Sequence, residues 1–215
     1  GDLGLSQTGT QEAISALPPE VTLGFAPYGA SLDRWTAKAR QDGHELLLQV
    51  PLEPFDYPDN DPGENTLLVG KDARQNIENL HRVMGRLTTY VGVINYMGAR
   101  FTSEAAALDP VMQEIAMRGL LYLDDGSSPR SVAEQSAGKF KTTFARADLV
   151  IDAVPTPAEI AGRLAQLEQI ARTRGLAVGV ASARPATLKA LSGWTTGLDG
   201  RGITLVPITA VPQQN

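Results

Sequence analysis

Between Gly43 and Pro54 the chain reads Gly-His-Glu-Leu-Leu-Leu-Gln-Val-Pro-Leu-Glu-Pro. A polar helix ends at the glycine. An apolar run of strand length follows, and a proline, a carboxylate and a second proline close it. Such a run suits a strand buried on both faces of a parallel sheet. Its polar end suits a site, because α/β proteins assemble sites where parallel strands end. The same grammar recurs along the chain. Strands are predicted at Val21–Phe25, His44–Val50, Val91–Ile94, Leu120–Leu123, Ala147–Ile151, Leu176–Ala181 and Ile203–Val206. Helical spacing separates them, including Ala73, Ile77, Leu80, Met84 and Leu87 within Asp72–Leu87 and a capped helix after Thr156-Pro157. Further helices are predicted around Gln11–Ile14, from Ser31 or Asp33 to Gly43, from Ser103, from Pro110 to Arg118, and from Ser131. The alternation implies a closed or nearly closed β/α barrel, with an open doubly wound sheet as its rival. Gly1-Asp2-Leu3-Gly4 reads as the loop at a strand's end, so a feeding strand is expected upstream of it.

At 215 residues with 42% hydrophobic content, one domain over residues 1–215 has room for a full core. The net charge of −5 disfavours nucleic acid, whose phosphates call for a basic face. No apolar run is long enough for membrane insertion by this segment. The chain has no cysteine, which excludes thiol catalysis and cysteine metal sites. It also has no Gly-x-Gly-x-x-Gly after a strand and no Gly-x-Ser-x-Gly elbow.

What gathers at the predicted strand ends is acidic, amide and aromatic. Asp2, Glu53, Asp124, Asp125 and Asp152 fall there, with Asp152 read as a loop or helix cap. Several carboxylates in one cleft repel one another unless a metal, a proton or an arginine offsets them. Arg100 and Arg130 are the counter-charges at hand. Tyr28, Gln49, Asn95 and Tyr96 add neutral hydrogen bonding and ring faces suited to sugars. The partner expected is therefore a carbohydrate or other small molecule. Of the two histidines, His81 lies on a helix as a surface or packing residue. His44 sits at a strand's start, where a structural role competes with substrate contact.

In order, these motifs resemble the divergent polysaccharide deacetylase family. The resemblance is carried by Asp2-Leu3-Gly4, Gly43-His44-Glu45 with Pro51-Leu52-Glu53-Pro54, Asn95-Tyr96-Met97-Gly98-Ala99-Arg100, Tyr122-Leu123-Asp124 with Ser131-Val132-Ala133, and Gly202 through Pro207. It implies a distorted (β/α)7-type barrel of the glycoside hydrolase/deacetylase kind, in a periplasmic or extracellular setting behind a signal or anchor. It implies Asp2, Asp125 and Glu53 as catalytic, and His44, Gln49, Asn95, Tyr96, Arg100, Asp124, Tyr28 and Ser131 as substrate-binding. The cofactor is left open; a divalent metal at Asp2 is the one implied, activating water against an N-acetyl carbonyl. Where relatives carry histidines, this chain has Gln49, Tyr96 and the run Ser182-Ala183-Arg184-Pro185, and Gly1 precedes Asp2 in place of a second aspartate. Gln, Tyr and Ser are poor zinc ligands, so a harder cation such as Mg²⁺ or Mn²⁺ or a metal-free acid/base pair would have to serve. Two functions are expected: hydrolysis of N-acetyl groups on a cell-envelope polysaccharide or its fragments, or a catalytically degenerate domain that binds a glycan or envelope partner.

Overall fold

A computed structural model describes residues 1–211; residues 212–215, the end of the expected domain, lie outside the described residues. Five parallel strands form one sheet in sequence order. They are β1 (Leu23–Phe25), β2 (Leu46–Leu52), β3 (Gly92–Met97), β4 (Leu121–Asp124) and β5 (Thr143–Arg146). Two short strands, β6 (Leu149–Val150) and β7 (Gly179–Val180), pair in parallel alongside. The segment Gly1–Leu3 joins the two sheets. It bonds Ala181 and Ala183 beyond β7, and Gly24 and Ala26 of the β1 region. The result is a distorted β/α barrel: α1 (Gln7–Ala16) precedes β1, α2 (Leu32–Gln41), α3 (Ala73–Met84), α4 (Ala105–Met117), α5 (Ala133–Phe140) and α6 (Pro157–Arg174) connect successive strands except β5 and β6, which follow each other directly, and α7 (Pro185–Thr195) follows β7.

β2 is buried along its whole length, as a doubly covered parallel strand should be. Its residues alternate between two cores. Leu46, Leu48, Val50 and Leu52 pack outward with Trp35, Leu80, Val83, Met112 and Ile115 of the helices. Leu47 points the other way, to Ile94, Leu121, Leu123 and Ala145 inside the barrel. Local signals set the helix ends. Ser6 caps α1 through the Gly9 amide, Asp72 caps α3 through Gln75, and Thr156 caps α6 with Pro157 at the first position.

Several expectations need correction. The first helix, whose cap the sequence offers at Thr8 or Thr10, starts earlier and is capped by Ser6; the Thr10 hydroxyl donates to Ser6 O and accepts from the Gly4 amide. The two helices expected around Pro110 are one, because buried Leu108, Val111, Met112 and Ile115 hold a single face across the proline. β5 was not predicted at all. The last predicted strand, Ile203–Val206, forms no ladder. The chain instead runs under the barrel's lower end, where Ile208 N donates to Thr22 Oγ1 and Thr209 N to Glu45.

Tyr122 is 1% exposed and stacks on Phe144, yet its hydroxyl has no hydrogen-bond partner among the described residues. Burial, with the charges of Asp124 and Asp125, pushes its phenol well above the ordinary range. An orphaned buried hydroxyl costs stability. Tyr122→Phe is therefore expected to raise unfolding free energy by about 1 kcal/mol in urea titration. A loss of stability would contradict this reading of the hydroxyl.

Candidate functional site

Strand order brings the upper ends of the Gly1–Leu3 segment, β2 and β3 together. Asp2 sits in the left-handed region at φ 67°, and strain of this kind in a non-glycine residue is concentrated at functional sites. Its amide donates to Gln49 Oε1 at 2.8 Å, and Gln49 Nε2 donates back to Asp2 Oδ1 at 3.2 Å. The two side chains fix each other. The neighbouring glycines make room for them: a Cβ on Gly1 would lie 2.8 Å from Gln49 Nε2, and one on Gly24 would lie 3.3 Å from the Gly1 Cα. Gln49 thus fills the space that a side chain at position 1 would need. Gly24, a glycine in mid-strand, is the sequence signal of this close approach.

Tyr96 completes the group. Burial first, then the negative charge of Asp2, raises its phenol above the usual range, so its O–H is retained as a donor. Tyr28 is raised likewise, by burial and by Asp61, Tyr96 and Glu64, and its hydroxyl donates to Glu64 O at 3.0 Å. The Tyr28 ring lies so close over Gly63 that a Cβ there would meet ring atoms at 2.8 to 3.0 Å. This contact fastens the long loop after β2 as a wall. Phe55 on that loop is 54% exposed and carries the Arg130 guanidinium 5.6 Å from its ring centre.

The other expected residues hold the scaffold. Glu53 is buried; Oε1 accepts from Arg100 at 2.7 Å and Oε2 from the Val69 amide at 2.5 Å. Its carbonyl accepts from the amides of Arg100 and Phe101. With both oxygens engaged, Glu53 and Arg100 tie two loops together. Asn95 likewise spends its amide on backbone, donating to Met97 O and accepting from Asp125 N, both at 2.9 Å. Asp124 accepts from Gly126 N and from the Ser131 hydroxyl, and that hydroxyl accepts from Ala133 N. Asp125 turns its own loop through Ser127. Asp152 accepts from Ser182 N and Thr187 Oγ1, so it ties its loop to the segment after β7 and to α7; it does not cap the next helix, which Thr156 caps.

His44 as a substrate contact requires correction. It lies before β2, at the barrel's lower end, 1% exposed, with Nδ1 2.9 Å from Val21 O and Nε2 3.3 Å from Ile14 O. Both ring nitrogens face backbone, so it ties α1 to the barrel floor. His81 pairs with Glu114 between α3 and α4.

The donor set at the mouth does not fit a zinc hydrolase centre. Asp2 brings one carboxylate, Gln49 an amide already engaged, and Tyr96 a protonated phenol; neither imidazole is near. No group of three or more His, Cys, Asp or Glu side chains that could hold a metal occurs among the described residues. No helix among them is long and apolar enough to cross a membrane.

Comparison with known proteins places this geometry in context. The family model described as divergent polysaccharide deacetylase matches residues 1–211. The uncharacterized protein YibQ of Escherichia coli K12 is 24% identical over 182 residues, and an uncharacterized protein of Haemophilus influenzae Rd is 22% identical over 179. The alignments cover 84% and 83% of this chain, but only 56% and 63% of those relatives' lengths. The crystal structure of uncharacterized protein ATU2773 from Agrobacterium tumefaciens C58 superposes with a TM-score of 0.96 at 52% identity, covering 99% of this chain and 86% of that one.

Proposed function

This chain belongs to the divergent polysaccharide deacetylase family, and we propose that it binds an N-acetylated glycan of the cell envelope at the barrel mouth without the metal-dependent hydrolysis of the wider deacetylase group. The observation that carries the reading is the reciprocal Asp2–Gln49 bonding beside a protonated Tyr96. Asp2 offers a carboxylate acceptor and Tyr96 a phenolic donor, the pair needed to hold a sugar hydroxyl and an acetamido carbonyl. Tyrosine faces suit the apolar side of a pyranose ring. The net charge of −5 suits a neutral or amino sugar better than an anionic polymer. The family resemblance supports an extracytoplasmic setting. Metal-free hydrolysis is the second reading, favoured by the strained Asp2 backbone.

Calorimetric titration with an N-acetylglucosamine tetramer tests the proposal. Wild type should bind, and Tyr96→Phe should bind about tenfold more weakly, a loss of ~1.4 kcal/mol for one hydrogen bond. Because the Tyr96 phenol is raised, the difference between the two proteins should persist through about pH 10, where an ordinary tyrosine loses half its protons. Absence of binding at millimolar sugar would end the proposal. Acetate release during the titration would favour the hydrolytic reading.

A further inference from the structure

Phe55 follows the end of β2, and Arg130, whose guanidinium lies over its ring, follows the end of β4. In the sheet β3 lies between those two strands. The contact therefore arches over the loop after β3, the strand that carries Tyr96. Backbone bonds stitch the three loops together: Arg100 N and Phe101 N donate to Glu53 O, and Val132 N donates to Thr102 O at 2.8 Å.

Both sides of the contact are held. Phe55 stands in a turn closed by Tyr57 N on Pro54 O and by Asn60 N on Asp56 O at 3.2 Å, within the loop that Tyr28 pins at Gly63. Arg130 N donates to Ser128 Oγ at 3.3 Å, and Ser128 O accepts from Arg146 and from Ser131 N. The guanidinium covers one face of the phenyl ring, and the exposure of more than half of Phe55 leaves the other face to solvent.

The arginines around this contact are committed to protein oxygens. Arg100 pairs with Glu53, Arg146 donates to Ser128 O, and Arg184 to Asp152 O. The Arg130 guanidinium donates to no protein oxygen among the described residues; the Phe55 ring orients its planar fork and leaves the N–H groups free. An open aromatic face beside a free donor fork suits a pyranose. The C–H face of the sugar packs on the phenyl, and adjacent hydroxyl or acetamido oxygens accept from the fork. A polyanion suits it less, because Asp56, Asp59 and Asp61 share the loop.

We propose that Phe55 and Arg130 form a second sugar subsite, which takes a further ring of the chain held by Asp2 and Tyr96. The mouth is then a site for an extended N-acetylated glycan and not for a single sugar. The inference rests on the glycan-binding reading of the mouth.

Calorimetry of N-acetylglucosamine and its tetramer with wild type, Phe55→Ala and Arg130→Gln tests it. Wild type should bind the tetramer about tenfold or more tighter than the monosaccharide, and each substitution should weaken the tetramer by about tenfold, the scale of one ring contact or one charged hydrogen bond. Monosaccharide affinity and Tm should stay unchanged, since both side chains lie on the surface. The Phe55 ring signals should shift with the tetramer and not with the monosaccharide. A tetramer bound no tighter than the monosaccharide, or bound equally by all three proteins, would overturn the second subsite and leave the Asp2–Tyr96 reading standing. Equal losses for both sugars would place Phe55 at the first ring and overturn it as well. Binding of neither sugar by wild type would remove both readings.

Discussion

Arg100→Ala should destabilise the protein by about 2 kcal/mol, and Glu53→Gln in the same background should recover about half of that loss. The Arg100 side chain is 45% exposed but its partner only 6%. Removing the arginine therefore costs little desolvation of its own and strands a carboxylate that is almost wholly enclosed. Breaking a fully buried pair costs more, ~3–5 kcal/mol; the half-exposed arginine and the retained Val69 amide bond hold the effect to the lower figure. The neutral amide of Glu53→Gln would keep an acceptor for Val69 without a stranded charge. Urea titration reads both numbers. Limited trypsin digestion at Lys71 gives a second readout, because the Val69 bond anchors the loop ahead of that lysine. A loss under about 0.5 kcal/mol, the level of an exposed pair, would show that Glu53 does not depend on Arg100.

Gly126→Ala is expected to be more damaging, by about 3 kcal/mol or more. Gly126 has φ +71°, and a Cβ there would lie 2.3 Å from the Ala147 carbonyl oxygen. That contact is with backbone, so no rotamer relieves it. Gly119→Ala is the matched control: φ is +67° but nothing lies within 4 Å of the added carbon. It should show the left-handed penalty alone, ~1–2 kcal/mol. The difference isolates the collision that clamps the turn after β4 against Ala147, the residue that follows β5. Because Asp124 accepts from Gly126 N, the same substitution should disturb the Asp124–Ser131 bond. Equal effects of the two substitutions would show that the turn yields freely.

The alternation of strands and helices was legible because β2 and its neighbours carry unbroken apolar runs between capped helices. β5 was not, since Thr143-Phe144-Ala145-Arg146 is short and ends in a charge. It becomes a strand through pairing with β4 along Leu121–Asp124, a contact no local window contains. Ile203–Val206 misled for the opposite reason: its Ile-Thr-Leu-Val run reads as a strand, but these residues line a cavity instead of joining a ladder. At the mouth, residue types and strand-end positions picked out Asp2, Gln49 and Tyr96. They did not reveal which polar groups were already spoken for. Glu53 meets the Val69 amide across a long loop, and Asp124 meets Ser131 within its own turn. Only the folded chain separates those anchoring groups from the Asp2–Tyr96 pair.

The most direct test follows the amide spectrum and acetate release together as an N-acetylglucosamine tetramer is added, with and without Zn²⁺ or Mn²⁺. Perturbed signals confined to the barrel mouth, at Asp2, Gln49, Tyr96 and the Phe55–Arg130 pair, with no acetate under any condition, are the predicted result. Metal-dependent acetate release that Asp2→Ala abolishes would contradict the account.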